Sequence, residues 1–237
     1  MSDTASSPAA AMNRMYRYTR HVYDASRRYY LLGRDELIDR MAEQETGAVL
    51  EVGCGTARNL IRLHQRAPTL DLYGLDAADV MLGTARRSIA RAGCRQRVRL
   101  AQGLAQRLDP QTAFGRHEPF DAIFFSYALS MMPAWPGAVE MALQHLKPGG
   151  RLYIVDFWDQ AEWPGCIRAF LRRWLALFGV QFRPALHAYL RGWATRNHAT
   201  LTIEPIARRY AYLATLQRPV AQRHGGQRFD NRIMTAS

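Results

Sequence analysis

Lysine is all but missing from this chain: Lys147 is the single example, and every other one of the 32 basic residues is an arginine. Acids are short as well, 20 against those 32, which leaves a formal net charge of +12. The shortage is deepest in the last third, where Glu204 and Asp230 stand against 12 arginines from Arg168 onward. Such a balance favours an anionic partner, whether a membrane surface, a nucleic acid or an acidic substrate, although it also serves solubility alone. Arginine suits phosphate in particular, because its planar fork donates in pairs.

Cysteine is scarce too. Cys54, Cys94 and Cys166 are odd in number, far apart, and form no CxxC. Neither a disulfide framework nor a zinc site is suggested, and a reducing cytoplasm fits. The seven histidines (His21, His64, His117, His145, His187, His198 and His224) show no ligand spacing, so no metal is expected. No run of about 18 apolar residues occurs, so no spanning helix is expected. The longest apolar candidate, Cys166 to Val180, is broken by Arg168, Arg172 and Arg173. The opening MSDTASSPAAAMNR lacks a basic segment followed by an apolar one, so a signal peptide is not expected. There is no internal repeat and no linker that would divide the chain. What remains, 237 residues with 48% hydrophobic and 22% charged, suits one globular domain.

Four stretches follow along the chain. Residues 1–11 are small and polar and are expected to be disordered. Residues 12–45 have helical patterning with a break near Gly33, rich in tyrosine and arginine, and form a candidate lid over substrate or membrane. In the second of these helices, Glu36 to Ala42, the spacing turns Leu37, Ile38 and Met41 inward. Residues 46–218 alternate strands and helices, and 219–237 form a basic tail. Within the alternating part, Ala48–Val52, Leu70–Leu75, Arg97–Ala101, Phe120–Phe125 and Leu152–Val155 read as buried strands. Helices are expected over Ala57–Gln65, Ala77–Ala92 (with Val80, Met81, Ala85 and Ile89 on one face), Pro136–Leu146, Ala161–Phe178 and Pro184–Thr195. Lys147-Pro148-Gly149-Gly150 is expected as a turn. Leu201–Ile206 and Arg209–Leu216 read as a final strand pair. This pattern predicts an α/β fold, a mostly parallel sheet with helices on both faces. Its ligand belongs at the carboxyl ends of the strands, where the strand order reverses.

The chemistry-bearing residues lie just after strands. Glu51-Val52-Gly53-Cys54-Gly55-Thr56-Ala57-Arg58-Asn59 follows the first. Two glycines allow a sharp turn and close approach of backbone to a ligand. The dinucleotide fingerprint is excluded, because Arg58 occupies its third glycine position. Glu51 supplies negative charge suited to a cationic ligand. The second strand ends at Asp76, whose carboxylate can accept both hydroxyls of a ribose, or cap the next helix. A glycine loop and an acid one βαβ unit apart together signal a nucleoside.

V-L-E-V-G-C-G-T, then G-L-D, then L-K-P-G-G-R-L resembles the class I S-adenosylmethionine-dependent methyltransferases over about Thr46 to Val155. The resemblance implies a Rossmann-like, seven-stranded, mostly parallel sheet with an antiparallel last strand. It implies S-adenosylmethionine as cofactor, with S-adenosylhomocysteine as product. It assigns Gly53, Cys54 and Gly55 to the methionine moiety, with Glu51 and Asn59 beside them. Asp76 takes the ribose, and Ala77 and Met81 flank the adenine. Two departures stand out. Ala57 replaces a usual third glycine. Gly103-Leu104-Ala105 stands where Gly-Asp-Ala is common, which leaves the backbone of Leu104 and Ala105 for the adenine amine.

A narrower resemblance joins His21–Ile38, C-G-T-A-R-N-L, Phe125–Trp135 and Tyr153–Gln160 to the N-methyltransferases of betaine-lipid synthesis and related phospholipid N-methyltransferases. It implies methylation of diacylglyceryl-homoserine to the trimethylated betaine lipid, or of phosphatidylethanolamine. By that analogy Arg34 meets the cofactor carboxylate, Tyr23 and Tyr30 flank the cofactor, and Ser126 and Tyr127 face the methyl group. Candidates to attract the methylated cation are Tyr23, Tyr127 and Trp158, and Asp156 is a candidate to orient the amine. Core packing accounts equally well for the tyrosines, since Tyr16, Tyr23 and Tyr30 recur every seven residues; a loop cap accounts equally well for Asp156. The expected partners are an anionic membrane surface, the lipid substrate and the enzyme that supplies the homoserine lipid. The expected location is cytoplasmic, peripheral on the inner face of the membrane. No stable nucleic-acid partner is expected: Ser126-Tyr127-Ala128-Leu129 stands where RNA enzymes of this kind carry an Asn/Asp-Pro-Pro-Tyr tetrad. RNA methylation, small-molecule or quinone carbon methylation, and a non-catalytic membrane-binding role remain the alternatives.

Overall fold

The computed structural model describes residues 30–177 and 179–220. The expected N-terminal tail, the helix from Met12 and nearly all of the basic tail lie outside the described residues. The elements run α1 (Arg34–Gln44), β1 (Ala48–Val52), α2 (Arg58–Arg66), β2 (Asp71–Asp76), α3 (Asp79–Arg91), β3 (Val98–Gln102), α4 (Pro110–Phe114), β4 (Phe120–Ser126), α5 (Trp135–Gln144), β5 (Leu146–Phe157), α6 (Gly165–Ala176), α7 (Pro184–Arg196), β6 (Thr200–Ile206) and β7 (Ala211–Gln217). Short 3-10 turns occupy Ala105–Arg107 and Leu129–Met131.

The strands form one sheet in the order β3-β2-β1-β4-β5-β7-β6. β1 pairs in parallel with β2 and with β4, β2 with β3, and β4 with β5. β7 runs antiparallel to both β5 and β6. Successive strands step outward from β1 to β3, then the chain returns to lay β4 on the other side of β1. That reversal opens a crevice above the carboxyl ends of β1 and β4.

Helices on both faces explain why the central strands are buried throughout rather than alternating: all five residues of β1 are buried, Glu51 among them. Val49, Phe124 and Val155 face Leu37, Ile38 and Met41 of α1, Leu60 and Leu63 of α2, and α3. Leu50, Ile123 and Phe125 face Val139 and Leu143 of α5 and Leu186 and Leu190 of α7. Each fully buried aliphatic contributes roughly 1.5–3 kcal/mol.

Three local differences from the sequence pattern have simple causes. α3 starts at Asp79, two residues later than the pattern suggests, and its buried face carries Leu82 with Met81, Ala85 and Ile89, while Val80 is half-buried. The short helix α4 was not foreseen; Asp109 caps it by accepting from Gln111 N, and Pro110 opens it. The Lys147–Gly150 turn proves to be a bulge within β5: Phe120 pairs with Leu146, then Ala122 pairs with Arg151. Lys147 Nζ pegs that bulge to Asp121 Oδ1 at 2.7 Å, while Asp121 Oδ2 accepts from Ala48 N at the root of β1, at 2.8 Å.

Gly74 in β2 tests how tightly this core closes beneath the crevice. A Cβ there would sit 2.7–2.9 Å from Leu100, Leu60 and Cys54 at once. Gly74→Ala is expected to lower stability by about 1–3 kcal/mol, read as a lower urea midpoint at unchanged slope.

Candidate active site

The chain leaves β1 at Val52 and must turn at once into α2. Gly53 (φ 80) and Gly55 (φ 54) take the left-handed backbone that glycine adopts without strain. Ala57 (φ 64) takes it too, directly ahead of α2, at the position where a third glycine is usual. Gly53 N and Cys54 N both donate to Leu75 O, at 2.8 and 3.1 Å, which sews the loop to the end of β2. On the other side a Cβ at residue 53 would lie 2.7 Å from Ala128 Cβ. Gly55 N donates to Asp76 Oδ2 (2.7 Å) and Ala78 N to Asp76 Oδ1 (2.9 Å). Each carboxylate oxygen is thus aimed by one backbone amide and keeps acceptor capacity for a ligand.

Two cavities meet at Gly53 and Gly55. The first is mainly apolar; Asp76, Ala77, Met81, Gly103, Leu104 and Ala105 line it from one side, and Tyr127, Met131 and Met132 from the other. The second is polar and takes in Arg34, Glu51, Cys54, Arg58, Asn59, Arg62 and Ser126. Glu51 is buried and accepts from Asn59 Nδ2 at 2.7 Å. Arg34 is buried too, its Nε donating to Leu31 O at 3.3 Å. Arg58 pairs with Asp35 at 3.0 Å. Burial, then the nearby charges of Asp76 and Glu51, push the Cys54 thiol well up, which makes it wall rather than nucleophile.

The segment after β4 is held under strain. Tyr127 has φ 54, unusual for a bulky residue and costing roughly 1–3 kcal/mol. Both of its ends are fixed: Tyr127 N donates to Val155 O (2.8 Å) and the phenol to Leu32 O (2.6 Å). Its ring meets Phe157 edge-on with centroids 4.7 Å apart, and burial pushes its hydroxyl far above the ordinary range. Asp156, near the end of β5, accepts from Ser130 N (2.9 Å) and Phe157 N (2.8 Å). It thereby anchors the Leu129–Met131 turn behind the wall of the first cavity. Burial raises its pKa to about 6, against the pull of hydrogen bonds from Ser130 and Phe157 and the charge of Arg183.

Most residues singled out from the sequence therefore converge on this crevice, but not all. Trp158 lies outside both cavities, under the Arg209 guanidinium (4.6 Å) and beside His187 (5.0 Å). Tyr30 packs edge-on against Trp174 at 5.1 Å, also outside them. Tyr23 lies outside the described residues. Sequence reasoning passed over Arg58, Arg62, Gln106, Met131 and Met132, all of which line the cavities. The i, i+4 spacing of Arg58 and Arg62 after the glycine loop would have found that pair. Nothing local marked Gln106.

Residues 49–150 match a family described as a methyltransferase domain. Trans-aconitate 2-methyltransferase of Deinococcus radiodurans is 32% identical over 114 residues, 47% of this chain and 38% of that protein. Demethylmenaquinone methyltransferase of the same organism is 31% identical over 167 residues, 68% and 61% respectively. The chain spans less than two thirds of either relative's length. An O-methyltransferase family protein from Burkholderia thailandensis shares the fold with a TM-score of 0.66 at 19% identity, covering 88% of this chain and 63% of that one. The sheet is the Rossmann-like fold of class I methyltransferases, and the cofactor is S-adenosylmethionine. The donor set fits that group: an aimed carboxylate for a diol, an apolar slot for a purine, and the opposite charges of Arg34 and Glu51 for an amino acid's two ends.

Asp76→Ala should weaken S-adenosylmethionine binding by about 1.5–3 kcal/mol in calorimetry, and undiminished affinity in a folded variant would remove Asp76 from the site. Asp156 yields a prediction of opposite character. Its folded pKa of about 6 lies above the ordinary 3.8, so its stabilising contribution is complete below about pH 4 and lost as pH rises through 6. Relative to Asp156→Asn, the parent protein should lose up to about 3 kcal/mol of unfolding free energy between those limits. A pH-independent difference would show that Asp156 is solvated.

Proposed function

We propose that this chain, which carries a class I S-adenosylmethionine-dependent methyltransferase domain, moves the cofactor's methyl group to the amine of a lipid head group. The acceptor assigned is diacylglyceryl-homoserine, carried to the trimethylated betaine lipid, with phosphatidylethanolamine as the alternative.

One observation carries the choice of an amine: the carboxylates lining the cavities, Asp76 and Glu51, are the groups this assignment gives to the cofactor, which leaves neither of them to serve the acceptor as a general base. Asp76 is engaged by Gly55 and Ala78, and Glu51 by Asn59. Cys54 is pushed up by burial, and the Tyr127 phenol is given to Leu32. An acceptor there must bring its own lone pair. An α-amino group titrating near ~8 presents a useful fraction in its neutral, nucleophilic form, whereas an alcohol becomes a comparable nucleophile only when a base takes its proton. The sulfonium supplies a leaving group that is already activated, so the protein's task is alignment. In this assignment Gly53 and Gly55 hold the methionine moiety by backbone. Arg34 would take its carboxylate, Glu51 its ammonium, and Asp76 the ribose. Ala77 and Met81 flank the adenine beside Leu104 and Ala105, and Ser126 and Tyr127 face the point of transfer. A tyrosine face attracts the methylated cation by roughly 0.5–2 kcal/mol. Tyr127 and Tyr23 serve that role better than Trp158, whose face already holds Arg209.

Support for a lipid comes from the motifs at His21–Ile38, Phe125–Trp135 and Tyr153–Gln160 and from the arginine excess. No described helix is long and apolar enough to cross a membrane. In this reading the enzyme works peripherally, on the inner, cytoplasmic face, receiving its substrate from the enzyme that makes the homoserine lipid. Carbon methylation of a quinone is the second possibility, favoured by the demethylmenaquinone relative that covers 68% of the chain.

Incubation with labelled cofactor and diacylglyceryl-homoserine, phosphatidylethanolamine, demethylmenaquinone or RNA, followed by mass spectrometry, decides among these. Label on a lipid amine is expected, with kcat/KM climbing until the acceptor's own pKa near ~8. Label confined to the quinone or RNA excludes the amine. Arg34→Ala should weaken binding of the cofactor more than that of its decarboxylated analogue; equal losses would place Arg34 away from the carboxylate.

A further inference from the structure

α6 is packed the wrong way round for a helix lying against a sheet. Only Leu175 is fully buried, with Leu171 and Trp174 half-buried against the core. Ile167, Phe170 and, just past its end, Leu177 are 44%, 71% and 79% exposed. No acid occurs on the helix, and Arg168 and Arg173 have no acidic partner among the described residues. Arg172 is tied inward, donating to Asp159 O at 2.9 Å with its guanidinium over Phe182.

The position of this face matters as much as its composition. Phe157, at the end of β5, pairs with Ala211 at the start of β7. The β6–β7 turn therefore lies at the same end of the sheet as the glycine loop. Arg208 of that turn donates to Glu162 O just ahead of α6, at 2.8 Å. Beyond α6 the chain reaches back to the site: Gln181 N donates to Ser130 O (2.9 Å), and Arg183 to Leu129 O and Met132 O (3.4 and 2.9 Å). These bonds hold the turn whose Met131 and Met132 line the first cavity.

We propose that α6, with the Arg208 turn, is the face by which the protein rests on an anionic bilayer, setting the crevice at the membrane surface. Only such a surface satisfies both halves of the face. A second copy would bring arginine against arginine, and a nucleic acid offers nothing apolar to Phe170 and Leu177. A bilayer with anionic head groups receives the aromatic and aliphatic side chains at the acyl boundary and the guanidiniums at the phosphates. The proposal deepens the lipid-amine function, yet vesicle binding is measured without any methyl transfer, so each can fail alone.

The experiment is co-sedimentation of the full chain with vesicles of phosphatidylcholine alone or mixed with an equal part of phosphatidylglycerol. Binding is expected only to the mixed vesicles, weakening as salt rises. Phe170→Glu and Arg168→Glu/Arg173→Glu should each lower it by about tenfold or more. These side chains stand away from both cavities, so affinity for S-adenosylmethionine should be unchanged and serves as the check on folding. Unaltered vesicle binding in both variants overturns the assignment. So does a concentration-dependent dimer abolished by Phe170→Glu, or tight RNA binding with no vesicle binding. Vesicle binding without methylation of any lipid leaves this face standing and removes the lipid-amine function.

Discussion

The active crevice depends on one set of short contacts, the amides of the glycine loop donating to the end of β2. Gly53 and Cys54 share the Leu75 carbonyl, and Gly55 takes an oxygen of Asp76. These bonds set the height of the loop above the sheet, the direction of the Asp76 carboxylate and the line along which the two cavities join. Because the loop closes on Ala128 from the other side, it also fixes how near the segment after β4 can approach. Strain at Tyr127 is the counterpart: the left-handed backbone sets that side chain in the wall of the first cavity, and hydrogen bonds at both ends keep it there.

The polar cavity is built differently, by delivery of a helix. α1 carries Arg34 at its beginning and is secured at its far end, where Arg151 Nη1 and the Tyr153 hydroxyl both donate to Glu45 (2.9 and 2.5 Å). Burial raises the Glu45 pKa, against the pull of those two hydrogen bonds. Along the helix Arg40 reaches across to Glu204 of β6. With its far end and middle tied to β5 and β6, α1 presents Arg34 to a cavity that Glu51 also lines. Charge of each sign therefore stands on a rigid element, which suits a zwitterion better than loops would.

Much of this was legible in the residues. The alternation of apolar runs and helical spacings located every strand, and the loop and Asp76 declared themselves because turn glycines and a strand-end acid have few other uses in such a sheet. Position in the sheet was less visible than position in the chain. Asp156 looked like a candidate to orient a substrate, yet its two oxygens face backbone amides, a choice decided by where the Leu129–Met131 turn folds. Trp158 follows the same strand but is turned toward Arg209 and His187, which come from elements far along the chain. Gln106 and Met132 reach the cavity through short 3-10 turns whose geometry no periodicity encodes.

The lysine shortage acquires a meaning once its one exception is located. Lys147 is pegged to Asp121, and through Asp121 to the first residue of β1. An amine-directed reagent would find one side-chain amine in the entire chain, sitting at the root of the sheet on the end opposite the crevice. Its rate of acylation would gauge how often the half-exposed ion pair with Asp121 opens, a single-site reporter on the root of β1 that leaves the crevice end untouched.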